Sequence, residues 1–83
     1  MELLIESSAL KSLLRMPKAD ATAMRSKLTA FAADPFAAHP WAKAFGAGTG
    51  RIRHGEWRAL YSIDNGKMTV IIVRIGHRKE IYR

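Results

Sequence analysis

The spacing of apolar residues along this chain changes rhythm several times, and each change predicts an element. Leu3-Leu4-Ile5 reads as a short opening strand. In Ser7-Ser8-Ala9-Leu10-Lys11-Ser12-Leu13-Leu14-Arg15-Met16 the leucines return at helical spacing behind a serine suited to capping, which predicts a helix from about Ser8 to Met16. Pro17 cannot continue that helix but suits the first turn of another. Ala21, Met24, Leu28 and Phe31 then form one stripe of a second helix, and Asp34-Pro35 stops it, because the residue before proline is pushed out of the helical region. Two antiparallel helices follow. The stretch from Phe36 to Gly50 is rich in Ala, Gly and Pro, and it reads as an irregular connection pinned by His39, Trp41 and Phe45.

Beyond Gly50 the period becomes two. Arg51-Ile52-Arg53, Trp57 to Ile63 and Met68 to Ile75 read as three antiparallel strands, and Asp64-Asn65-Gly66 is a strong hairpin signal between the last two. Alternation puts Trp57, Ala59, Tyr61 and Ile63 on one face of the middle strand and Arg58, Leu60 and Ser62 on the other. With the aromatic face packed under the helices, Arg51, Arg53 and Arg58 converge on the open side. The last strand is apolar on both faces, as a central strand should be. The predicted fold class is α+β: an N-terminal strand, a helical hairpin and a three-stranded antiparallel run, together a four-stranded sheet covered on one face.

Composition narrows the partners. A chain of 83 residues supports one domain with one core, spanning residues 1–83. It has no cysteine, which removes thiolate chemistry and cysteine-ligated zinc and fits a reducing, cytoplasmic setting. The amino terminus lacks the pattern of a signal peptide, and no apolar run is long enough to span a bilayer, so no membrane partner is expected. Fourteen Lys and Arg against seven Asp and Glu leave a formal charge of +7, which makes an anionic partner, nucleic acid first, the default expectation. Eight of those cations, against three of the acids, lie in residues 51–83, so the footprint is in the carboxyl-terminal part.

The run GRIRHGEWRALYSIDNGKMTVIIVRIGHRKEIYR resembles the signature of the RelE/ParE toxin superfamily. There, too, a basic strand, a glycine turn, an aromatic-Arg pair, a Tyr near an acidic hairpin and a Gly-His/Lys-Arg-x-x-x-Tyr tail follow one another. Leu13 to Lys18 and Phe31 to Pro35 are similar to its helix ends, so the likeness covers nearly the whole chain. It implies the toxin of a type II toxin–antitoxin pair that cuts messenger RNA in the ribosomal A site. The alternatives are a ParE-like inhibitor of DNA gyrase without nuclease chemistry and a catalytically silent member that holds its antitoxin. The implied partners are a RelB-like antitoxin, the ribosome with its messenger RNA, and operator DNA through the antitoxin alone. No cofactor and no metal are implied. The implied catalytic set is Arg58, Arg78, Tyr82 and His77, with Arg51, Arg53, Lys79 and Arg83 binding RNA. The chain departs from relatives at Thr49-Gly50, where an aromatic residue is common, and at Trp57, where Tyr is more usual.

These side chains suit metal-independent RNA cleavage, in which the 2′-hydroxyl attacks the adjacent phosphorus. Arginines grip phosphate oxygens through planar forks but are poor bases, being protonated at ordinary pH. Proton handling therefore falls to Tyr82, since surrounding cations favour phenolate, and to His77, a residue type that titrates near neutrality. Without the resemblance, Tyr82 reads as a core aromatic packing the last strand onto the sheet, and Lys79 and Arg83 read as a solvated face. Trp57 and Tyr61 are expected in the core rather than as base-stacking platforms. His39 and His54 are expected to be exposed and idle, and Gly55 and Gly66 to be turn formers.

Overall fold

The computed structural model describes residues 1–81. Strand β1 (Glu2–Ile5) leads into helices α1 (Ser7–Arg15) and α2 (Lys18–Ala33). Strands β2 (Ala42–Gly46), β3 (Thr49–His54), β4 (Trp57–Asp64) and β5 (Thr69–His77) follow, and a short helix α3 (Arg78–Ile81) closes the described chain. The strands make one five-stranded sheet in the order β1-β5-β4-β3-β2, with β1 parallel to β5 and every other pair antiparallel.

The helices form where the pattern predicts, with adjusted edges. Glu6 occupies the cap position of α1 without a side-chain cap bond, so Ser7 and Ser8 lie inside the first turn. Ala9, Leu13 and Met16 turn inward, whereas Leu14 is 68% exposed. The Pro17 carbonyl accepts the Ala21 N–H at 2.9 Å, the first turn of α2. Met24, Leu28 and Phe31 are buried along the expected stripe, and Asp34 leaves helical geometry ahead of Pro35, with φ −151° and ψ 79°.

One predicted element is corrected. The connection from Phe36 to Gly50 is not irregular throughout, because Ala42–Gly46 pairs with β3 and adds a fifth strand. An Ala- and Gly-rich stretch has weak strand propensity, so its conformation comes from the ladder that β3 offers. The turn that follows places Gly46, Ala47 and Gly48 at positive φ, a bend that glycine permits cheaply. Phe45 is 53% exposed and anchors nothing, while Trp41 packs against the core.

Core residues from α1, α2, β3, β4 and β5 form one cluster on the helix-covered face. The Phe31 and Tyr61 rings meet at 4.5 Å between centroids. Gly50 lies opposite Tyr61, and a Cβ there would collide with the Tyr61 hydroxyl and the Lys43 carbonyl, so the site requires glycine. The β4–β5 register shifts between Leu60 and Tyr61. That irregularity lets Ile72 and Ile75, an odd number of residues apart, both reach the core. Among the described residues no helix is long and apolar enough to cross a membrane.

Candidate functional site

Strand alternation that buries Ile52, Ala59 and Tyr61 sends their neighbours to the opposite face. Two cross-strand rows result. Lys43, Arg51, Leu60 and Arg74 stand side by side across β2, β3, β4 and β5, and Arg53, Arg58 and Gly76 form the adjacent row. Five cations thus share the face opposite α1 and α2. Among the described residues no carboxylate pairs with any of them.

The tail reaches this surface through α3. Helix α3 packs on β5 and β4, with Ile81 buried outside the main core cluster and its Cδ1 close to Gly76. The β3–β4 turn holds two of the arginines. Arg58 donates through Nη1 to the Gly55 carbonyl (2.7 Å) and the Trp57 carbonyl (3.0 Å). The Arg78 amide donates to the Glu56 carbonyl at 2.6 Å, and its Nε pairs with the Glu56 carboxylate. Gly55 sits at φ +55° in this turn, a conformation glycine adopts readily.

His77 is half-buried, edge-on to the Trp57 ring at 5.7 Å. Its Nδ1 accepts the Lys79 amide at 3.4 Å, so the neutral ring carries its hydrogen on Nε2. The Lys79 side chain is exposed. Of the predicted site residues, Arg51, Arg53 and Arg58 lie together on the sheet, with Arg78, His77 and Lys79 at its β3–β4 end. Tyr82 and Arg83 lie outside the described residues.

A profile described as the ParE toxin of type II toxin–antitoxin systems, parDE, matches residues 3–82. The chain belongs to this toxin family. A curated relative, Toxin RelG of Mycobacterium tuberculosis (strain ATCC 25618 / H37Rv), is 51% identical to it over 37 residues. That match takes in 45% of this chain and 42% of RelG, less than half of either. The toxin–antitoxin complex RelBE2 of M. tuberculosis contains a chain 27% identical, with a TM-score of 0.75 and coverage of 93% of this chain and 96% of that one. The isolated RelE toxin of E. coli (21% identical, TM-score 0.79, 98% and 89% covered) shares the fold. So does the YoeB/ParE toxin from Agrobacterium tumefaciens (15% identical, TM-score 0.75, 93% and 98% covered).

Several residues of this toxin escaped the sequence reading. Lys43 was missed because β2 was not expected, although Ala-Lys-Ala-Phe alternates as a strand would. Arg74 reaches the basic face because the register shift reorients β5 between Ile72 and Ile75. Both histidines expected to be idle have partners. His54 is half-buried, with Nε2 at 3.1 Å from Asp20 Oδ1 and Nδ1 at 3.5 Å from Lys27 Nζ. Lys27 Nζ donates to the Arg53 carbonyl at 2.9 Å, and burial and then the Arg53 charge hold this amine below the ordinary lysine value. His39 stacks on Trp41 at 4.6 Å and bonds the Asp34 carbonyl at 2.8 Å, closing the end of α2.

Proposed function

We propose that this toxin cleaves messenger RNA on the ribosome by attack of the substrate's own 2′-hydroxyl, and that a RelB-like antitoxin restrains it in the cytoplasm. The observation that carries this reading is the gathering of Lys43, Arg51, Arg53, Arg58 and Arg74 on one face, with Arg78 and His77 at its end. Phosphodiesters are the ligands such a face selects. The 2′-oxygen bonds to phosphorus as the 5′-oxygen leaves, and charge builds on the non-bridging oxygens. Arg58 and Arg78 receive that charge; one preorganised donor of this kind is worth about 2.7–4 kcal/mol in a transition state. Tyr82 takes the 2′-hydroxyl proton. His77, acting in its imidazolium form, gives a proton to the 5′-oxygen and is left as the neutral ring.

Lys79 and Arg83 bind RNA together with Arg51 and Arg53. Because the acid–base groups are few, the ribosome holds the messenger in a reactive conformation. An antitoxin that engages the basic face would supply carboxylates to it, and operator DNA is reached only through that antitoxin. Structures of RelE toxins bound to RelB antitoxins, such as the intact E. coli RelBE complex, support the pairing. The profile match to ParE favours a second reading, a gyrase poison that uses the fold without chemistry.

Primer extension on a defined messenger, with and without programmed ribosomes, separates the two. Cuts are expected only with ribosomes, and Arg78→Ala should lower the cleavage rate by about 10²–10³. Growth arrest without cuts, together with loss of gyrase supercoiling, would overturn the nuclease reading.

A further inference from the structure

The partners of Arg58 and Arg78 all lie in one short stretch. Gly55, Glu56 and Trp57 contribute three successive carbonyls and one carboxylate: the outer carbonyls take Arg58 Nη1, and Glu56 takes both the amide and the Nε of Arg78. We infer that this turn is a bracket that presents the two phosphate-gripping arginines together, and that Glu56 is the positioning residue for Arg78. The inference rests on the proposed RNA-cleaving role of the same site.

Fold stability does not account for the pair. Arg78 and Glu56 are 54% and 55% exposed at the side chain, and exposed ion pairs contribute little to stability. Backbone placement does not need the carboxylate either. Helix α3 is too short to hold itself, but it is tied down by the Arg78 amide on the Glu56 carbonyl, by Arg74 Nη2 on the Glu80 carbonyl at 3.2 Å and by buried Ile81. What the carboxylate adds is orientation. A guanidinium gripped at Nε has its plane set and keeps its amino donors for an anion. Donors that need no reorganisation when charge develops are the effective ones.

A carboxylate beside a phosphate site is also unfavourable for ground-state RNA binding, because it repels the backbone. The two effects carry opposite signs. Removing Glu56 should tighten RNA binding and slow cleavage, a combination that a merely structural residue would not produce.

The test uses the purified toxin as wild type, Glu56→Gln and Glu56→Ala. Expected are unchanged thermal melting, a shifted Arg78 Nε–H resonance in nitrogen-15 NMR, and about twofold tighter binding of an RNA oligonucleotide made uncleavable by a single 2′-deoxy substitution. Single-turnover cleavage on programmed ribosomes should fall about tenfold for both variants. Variants that cleave as fast as wild type, or faster, would overturn the role of Glu56 while leaving the nuclease reading intact. A wild-type protein that does not cut overturns the nuclease reading instead. In that case an Arg78 Nε–H resonance that stays put in the variants would overturn the bracket as well.

Discussion

The two faces of the sheet are built from alternate residues of the same strands and obey different rules. On the helix side Ile52, Ala59, Tyr61, Val70, Ile72 and Ile75 are buried against α1 and α2, and no polar or charged side chain is among the buried residues described. On the other side, residues one position away carry five cations that meet no carboxylate partner among the described residues. The first face is stabilised by removing apolar surface from water, which requires every position to fit. The second repels itself and tolerates the repulsion because water and salt screen it. Stability and function are therefore separable in this fold by a shift of one residue along a strand.

The largest effect that would sharpen this contrast is a truncation on the closed face. Leu28→Ala should cost about 2–5 kcal/mol, read from the urea midpoint, whereas Arg51→Ala should move stability by less than about 0.5 kcal/mol. A comparable loss for both would break the distinction. Next come the cations missed by sequence reading: Lys43→Ala and Arg74→Ala should each reduce the slope of log affinity against log salt for single-stranded RNA by about 0.7, with melting unchanged for Lys43→Ala. A slope identical to wild type would remove that residue from the RNA face.

Tyr61 marks the boundary by pH. Burial raises its hydroxyl above the ordinary 10.0, so the folded state holds the proton more tightly than the unfolded chain does. Its contribution is complete below that ordinary value and is lost as pH rises through the raised one. Tyr61→Phe should therefore lose less stability than wild type between about pH 8 and about pH 11. Lys27 has the opposite sign, since its lowered value makes its contribution present above the ordinary lysine value and lost as pH falls through the lowered one. Smallest is Asp20→Asn. It weakens a half-exposed contact to His54 and should cost at most about 1 kcal/mol by urea melts at neutral pH.

How much of this was readable beforehand depends on how local the cause is. The α2 stripe from Met24 to Phe31, the stop at Asp34-Pro35 and the Asp64-Asn65-Gly66 hairpin are local, and all appear in the structure. So does the convergence of Arg51, Arg53 and Arg58, which follows from strand alternation alone. Strand β2 was not readable, because Ala42 to Gly46 becomes a strand only through the edge of β3. His54 looked idle because its partners, Asp20 and Lys27, sit on a distant helix.

By itself, then, the sequence determined which residues are apolar, at what period they recur and where cations accumulate. Those properties belong to single residues and their near neighbours, and they suffice for two helices, a sheet and a basic face. Only the tertiary structure decided that a fifth strand extends that face with Lys43, that a register shift delivers Arg74, and that the turn at Glu56 meets Arg78. These depend on backbone hydrogen bonds and charge contacts between segments far apart in the chain, which no local pattern encodes.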